Sequence, residues 1–219
     1  MDTLADLQGH PSDRVLLVLL PGAYDVPRDY FANGFIGEIR RRDLAVDIIA
    51  ADAHVDYYTG RNVVERLHED VIAPARAKGY RRVWLGGISL GGFGSLLYVH
   101  TYPGDVEGVL LLAPYLGARN QVQEISRAGG LARWKPERDA PLDEEQEMLQ
   151  WLQTLLAARQ EPPALYLGYG ASDRFARSIS VLAEAMPPER VVEIEGGHDW
   201  QTWSKLWSLM LDKEPFNRR

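Results

Sequence analysis

The stretch Trp84-Leu85-Gly86-Gly87-Ile88-Ser89-Leu90-Gly91-Gly92-Phe93-Gly94 governs how the rest of the chain is read. It starts as a buried strand, passes a tight turn and runs into a helix-like segment from Phe93 to His100. Ser89 stands at the centre of Gly87-Ile88-Ser89-Leu90-Gly91, a G-x-S-x-G pentapeptide. Side chains two residues before and two residues after the serine would collide across so sharp a turn, which is why glycine suits positions 87 and 91. The hydroxyl is then held above the sheet. The N–H of Leu90, at the start of the helix, is free for an oxyanion. The pentapeptide alone would also fit an ordinary glycine-rich turn; its surroundings favour the chemical reading.

Outward from that turn, strands and helices alternate. Upstream, Arg14 to Leu20 is a continuous apolar run, suited to a strand buried on both faces of a parallel sheet, and it ends at Pro21-Gly22-Ala23-Tyr24. A helix is expected from Pro27, with Phe31, Phe35 and Ile39 on its apolar face. Leu44 to Ala50 reads as the second strand, followed by the polar and aromatic loop Asp52 to Tyr58. A helix over about Asn62 to Lys78 should be disturbed by Pro74 and capped by Gly79. The third strand is Arg82 to Gly87.

Downstream, Val106 to Ala113, Ala164 to Gly170 and Arg190 to Ile194 read as strands four to six. Residues Pro114 to Pro162 carry no strand signal. They contain Gly129-Gly130, Pro136 and Pro141, then a helix opened by an Asp143/Gln146 capping box. An insertion of this length reads as a helical lid over one end of the sheet, although its last helix suits a plain crossover equally well. Helices with Phe175, Ile179, Leu182 and Met186, and with Trp203, Leu206, Trp207 and Met210, complete the pattern. The expected fold is α/β: a mostly parallel six-stranded sheet with helices on both faces. In such sheets ligands bind beyond the carboxyl ends of the strands, where the chemically interesting residues of this chain fall.

Composition narrows the function. The 219 residues suit one domain, 1–219, and a formal net charge of −7 disfavours a nucleic-acid partner. There is no cysteine, which removes thiolate catalysis and disulfides and is compatible with a cytoplasmic location. The first residues show no signal peptide, and the longest apolar run, Val15 to Leu20, is strand-sized, so no membrane span is expected. No two-histidine metal spacing occurs, and neither metal nor cofactor is expected.

A serine needs a base to attack a carbonyl near neutral pH. Among five histidines, His10 lies in the polar tail, and His68 and His100 fall within helices. His54 and His198 each follow a strand, and His198, after Gly196-Gly197 beyond the last strand, is preferred. Asp173 follows the preceding strand and is the candidate orienting acid, with helix capping as its other possible use. Asp199 is given a structural role, and Asp52 is a weaker alternative acid. Leu90 N–H is the first expected oxyanion donor and Ala23 N–H the second, with Tyr24 N–H next. Tyr24, Tyr57, Tyr58 and Tyr115 are candidate substrate contacts, alongside residues near Trp134; Phe93 suits core packing better. Asp25, Asp52 and Arg61 are candidates for polar selectivity.

Three motifs together resemble the α/β-hydrolases, and the small bacterial serine esterases in particular. Gly87-Ile88-Ser89-Leu90-Gly91-Gly92 is similar to their nucleophile elbow, Gly170-Ala171-Ser172-Asp173 to their acid turn, and Gly197-His198-Asp199-Trp200 with Trp203 to their histidine loop. The resemblance covers roughly residues 13–211. It implies a serine hydrolase acting on a small ester or thioester through Ser89, Asp173 and His198. An acyltransferase with the same triad, or a binding protein that has lost catalysis, is the alternative. The chain departs from the family where Pro21-Gly22 replaces the common His-Gly, and where the two N-terminal antiparallel strands are expected to be missing.

Overall fold

The apolar runs lie side by side as one sheet. A computed structural model describes residues 1–117, 119–136, 142–158 and 163–217. Its strands are β1 (Thr3–Asp6), β2 (Val15–Leu20), β3 (Val46–Ala51), β4 (Arg82–Ile88), β5 (Gly108–Leu112), β6 (Ala164–Gly170) and β7 (Val191–Ile194). They are ordered β1-β3-β2-β4-β5-β6-β7. Every pairing is parallel except that of β1 with β3. Each residue of β2, β5 and β6 is buried, as unbroken apolar runs such as Val15–Leu20 require.

The expected sheet of six strands gains a seventh. β1 runs antiparallel at the edge, with Thr3 opposite Ala51. Its first three residues are exposed and it has no apolar face, so backbone hydrogen bonds hold it rather than burial. The amino end of the sheet is fastened by Asp47, a fully buried carboxylate on β3. It accepts from Arg14 Nε at 2.6 Å, Gln8 N at 2.9 Å and the Tyr80 hydroxyl at 2.5 Å.

The first expected helix is two, α1 (Pro27–Ala32) and α2 (Phe35–Arg41), broken at Gly34, whose φ of +80° ends a helical path. Phe35 and Ile39 are buried on α2, whereas Phe31 on α1 is half-buried. The loop expected at Asp52 to Tyr58 contains α3 (Val55–Thr59). The helix expected at 62–78 is α4 (Val63–Leu67), a π-helical turn at His68–Ile72, and α5 (Ala73–Ala77). Pro74 lacks an N–H and its ring crowds the carbonyl one turn back; the wider turn before it relieves that clash.

The remaining helices are α6 (Leu90–Thr101), α7 (Arg119–Arg127), α8 (Glu144–Ala157), α9 (Ala176–Ala183) and α10 (Trp200–Leu211). The α8 capping box forms: Asp143 Oδ1 accepts from Gln146 N at 2.8 Å, and Asp143 N donates to Gln146 Oε1 at 3.2 Å. Met148, Leu149, Leu152 and Leu155 are buried and α8 packs on α6, as a crossover helix between β5 and β6 does. Pro141 and residues 159–162 of the expected lid lie outside the described residues. Among the described residues no helix is long and apolar enough to cross a membrane.

Candidate active site

The site begins with the turn between β4 and α6. Ser89 has φ +51° and ψ −113°, a conformation that costs on the order of 1–3 kcal/mol and persists only where its surroundings hold it. A Cβ on Gly87 would fall 2.2 Å from the Gly91 carbonyl oxygen, and one on Gly91 would fall 2.0 Å from that of Leu20. Both glycines are therefore required by contact. Ser89 N donates to Leu112 O at 2.9 Å, and Ser89 O accepts from Tyr115 N at 3.0 Å and Phe93 N at 3.2 Å. Strand β5, the turn after it and α6 thus fix the serine from three sides.

The acid turn and the histidine loop are brought together by glycine contact. A Cβ on Gly170 would meet Gly196 O at 2.3 Å, so the end of β6 touches the loop after β7 backbone to backbone. Ser172 N donates to Gly196 O at 3.0 Å across that contact. As a result His198 lies between the other two groups: Nδ1 is 2.7 Å from Asp173 Oδ2 and Nε2 is 3.0 Å from Ser89 Oγ. An ionised carboxylate can only accept, so Nδ1 carries the proton and Nε2 accepts from the serine hydroxyl. The other oxygen of Asp173 accepts from Phe175 N at 2.7 Å, so one side chain both orients the imidazole and stabilises the turn into α9. The Asp173 side chain is fully buried.

Two aromatic rings fix the imidazole plane. Phe175 and Trp203 meet His198 at 5.1 Å and 5.0 Å between centroids, close to perpendicular in both cases. Asp199 accepts from Thr202 N at 2.8 Å as the N-cap of α10, which is its structural role.

Ser89 and His198 open onto a cleft of about 370 Å³ lined also by Ala23, Tyr24, Asp25, Arg174 and Trp200. Tyr24 is 95% exposed on its rim. Among the described residues no hydrogen bond uses the N–H of Ala23 or Leu90. Asp25, a sequence candidate for polar selectivity, lines this cleft. Its Oδ1 accepts from Trp200 Nε1 at 3.0 Å. A Cβ on Gly22 would fall 2.4 Å from Asp25 Oδ2 and 3.7 Å from Ser89 Cβ, so carboxyl and serine flank the same glycine. Burial pushes the Asp25 carboxyl above the usual carboxylate range; the Trp200 hydrogen bond opposes the shift and nearby Asp29 adds to it.

Other sequence candidates fall elsewhere. Tyr57 packs on His54 with ring centroids 4.5 Å apart and planes tilted by 46°, and the His54 side chain faces Asp56; neither residue lines the serine cleft. Tyr58 lies against Gly94 on α6, with its hydroxyl buried and unpartnered, and lines a separate cavity with Arg61 and Phe93. Asp52 also has a buried unpartnered oxygen and does not line the serine cleft. Trp134 is buried and donates to Glu124 Oε1 at 2.8 Å. Tyr115 lines a neighbouring cavity, its hydroxyl donating to Glu145 Oε1 at 3.2 Å. Phe175, Arg174 and Trp200 are the site neighbours that sequence reasoning misses. Among the described residues no cluster of three or more His, Cys, Asp or Glu could hold a metal.

Solved structures of this architecture include an S-formylglutathione hydrolase from Agrobacterium tumefaciens, with TM-score 0.63 and 11% identity over 98% of this chain and 95% of that one. Another, from Staphylococcus aureus, has TM-score 0.62 and 15% identity over 90% and 79%. Est1E from Butyrivibrio proteoclasticus has TM-score 0.57 and 13% identity over 93% and 90%. At such identities the likeness is one of fold. No curated protein sequence matches the chain. A family model described as serine aminopeptidase, S33, matches residues 61–175, which include Ser89 and Asp173 and end before His198. With more than half its length matched by that model and the sheet order described above, the chain belongs to the S33 serine aminopeptidase family of α/β-hydrolases.

Proposed function

We propose that the chain is a serine hydrolase that cleaves a carboxylic ester or thioester through an acyl-enzyme on Ser89. The observation that carries this reading is the His198 imidazole, spanning Ser89 Oγ and Asp173 Oδ2. Ser89 attacks the carbonyl carbon while His198 Nε2 takes its proton, and Asp173 stabilises the resulting imidazolium. The developing oxyanion is held by the N–H groups of Leu90 and Ala23, each worth about 3 kcal/mol of barrier. The tetrahedral intermediate collapses as His198 protonates the leaving group. Water, activated by the same imidazole, then releases the acid. Tyr24 contacts the substrate at the rim, and α7 with the turn before it serves as the covering part of the 114–162 insertion. A cytoplasmic enzyme acting on a small ester, without cofactor, is the corresponding cellular reading.

The test is hydrolysis of p-nitrophenyl esters from acetate to decanoate by wild type and Ser89→Ala, with fluorophosphonate labelling alongside. Activity and labelling lost in the variant support the reading. A wild type that shows no turnover and no labelling overturns it in favour of a silent binding protein. Acyl transfer in place of hydrolysis would appear as new esters when alcohols are added.

A second substrate class is favoured by Asp25. A carboxyl group beside the serine, in a family described as aminopeptidases, suits an amide carrying a free ammonium group. Aminoacyl p-nitroanilides test it directly.

A further inference from the structure

Next to the serine cleft lies a second cavity of about 470 Å³, between the turn after β5, α7 and the start of α9. It is not an isolated surface hollow. Tyr115, on its wall, donates its N–H to the Ser89 carbonyl oxygen at 3.0 Å. Phe175, also on its wall, packs on the His198 ring. Arg174 lines both this cavity and the serine cleft. Arg174 thus belongs to both walls, and Phe175 stands between His198 and the second cavity.

The charged groups of this cavity are cations. Arg174 and Arg177 both line it, and neither has a carboxylate partner among the described residues. Arg174 lies over the Phe175 ring, 4.9 Å from its centroid, an arrangement that leaves the in-plane N–H groups free for an acceptor. Gln123 and Ser178 add neutral polar groups to the wall. Glu145 is the carboxylate that abuts this wall: its Oε1 accepts from the Tyr115 hydroxyl, and its Oε2 is 2.9 Å from where a Cβ on Gly117 would stand. The chain as a whole carries a net charge of −7, which repels anions in general, so an anion would reach this place only through a local positive field.

Resting on the serine-hydrolase reading above, we infer that this cavity is a subsite for a carboxylate on the substrate. A guanidinium fork matches a planar carboxylate, and two exposed forks suit a single charge at the far end of an acyl or leaving group. Substrates of this class are half-esters of dicarboxylic acids, or thioesters of mercapto acids.

The experiment measures kcat/KM on two matched pairs. One pair varies the acyl side: mono-p-nitrophenyl glutarate against p-nitrophenyl valerate. The other varies the leaving group: the acetyl thioesters of 3-mercaptopropionate and of propanethiol. The wild type should prefer the anionic member of one pair by about tenfold at low salt, with the preference shrinking as ionic strength rises. The pair that shows it identifies the side of the substrate. In Arg174→Gln/Arg177→Gln the preference ratio should collapse, and Arg177→Lys should keep most of it. Circular dichroism confirms that the variants fold. Equal rates within both pairs, or a preference that survives in the double variant, overturn the subsite while the serine reading stands. A wild type that turns over none of the four and fails to label with fluorophosphonate overturns both.

Discussion

Helix α6 connects two clusters built from the same three chemical groups. Before its first residue stands Ser89, with His198 and Asp173; near its far end stands Tyr98, with His68 and Asp105. In the first, hydroxyl and carboxylate sit on opposite nitrogens of the imidazole. In the second, the Tyr98 hydroxyl donates straight to Asp105 and accepts from His68 Nδ1 at 2.9 Å, while His68 Nδ1 is 3.8 Å from Asp105. The tyrosine proton is spent on the carboxylate, and no nitrogen waits to receive it. Tyr98 is fully buried in regular helix, and His68 is stacked on Tyr102 at 4.2 Å. Ser89 sits in a strained turn facing a cleft. Linear order, backbone strain and access separate the constellation proposed to react from the structural one; the list of groups does not.

The two clusters should respond oppositely to substitution. The largest effect is expected for Ser89→Ala, which should lower kcat/KM for a p-nitrophenyl ester by about a thousandfold or more while the protein stays folded. Asp173→Asn should cost a comparable factor, because the amide can donate to Nδ1 and favour the wrong tautomer. Asp105→Asn, its counterpart, should leave kcat/KM within about threefold, since no reacting atom touches it. Tyr98→Phe should keep activity and lose about 1–3 kcal/mol of stability in chemical denaturation, the cost of leaving buried partners unpaired. If Tyr98→Phe lost activity in proportion to Ser89→Ala, the distinction drawn above would be wrong.

A smaller effect concerns pH. Burial first, and then its bond to Asp105, raise the Tyr98 phenol above its ordinary value of 10.0. The folded state thus holds that proton more tightly than the unfolded chain. The associated stability is fully present below pH 10 and declines as pH rises beyond it. Melting temperatures from pH 7 to 11 should fall less steeply for Tyr98→Phe than for wild type. Ser89→Ala should follow the wild-type slope. The other buried tyrosines, Tyr80 and Tyr169 among them, keep part of the slope in every variant.

Much of this was legible in the sequence because strong local signals carried it. The apolar runs of β2 and β5 admit no other use, and Gly87 and Gly91 mark a contact that tolerates no side chain. Ser89, Asp173 and His198 could be nominated because each follows a strand of a parallel sheet. The edge strand β1 was not legible, since Thr-Leu-Ala-Asp pairs through backbone and buries nothing. The break at Gly34 was signalled by the glycine itself but masked by the spacing of Phe31, Phe35 and Ile39. Tyr58 reads as a pocket residue from its polar loop, yet the short α3 turns it beneath α6. The contacts of Phe175 and Trp203 with His198 depend on how α9 and α10 pack, which no local pattern records.

Those two contacts have a spectroscopic consequence. His198 meets both Phe175 and Trp203 edge to face, whereas His68 is stacked on Tyr98 and Tyr102, His100 is tilted against Trp151 and His54 against Tyr57. In a chain with five histidines, the resonance lost in His198→Gln assigns its ring protons. Titration of that one resonance, free and with Ser89 covalently blocked, would follow the proton of the site without a substrate.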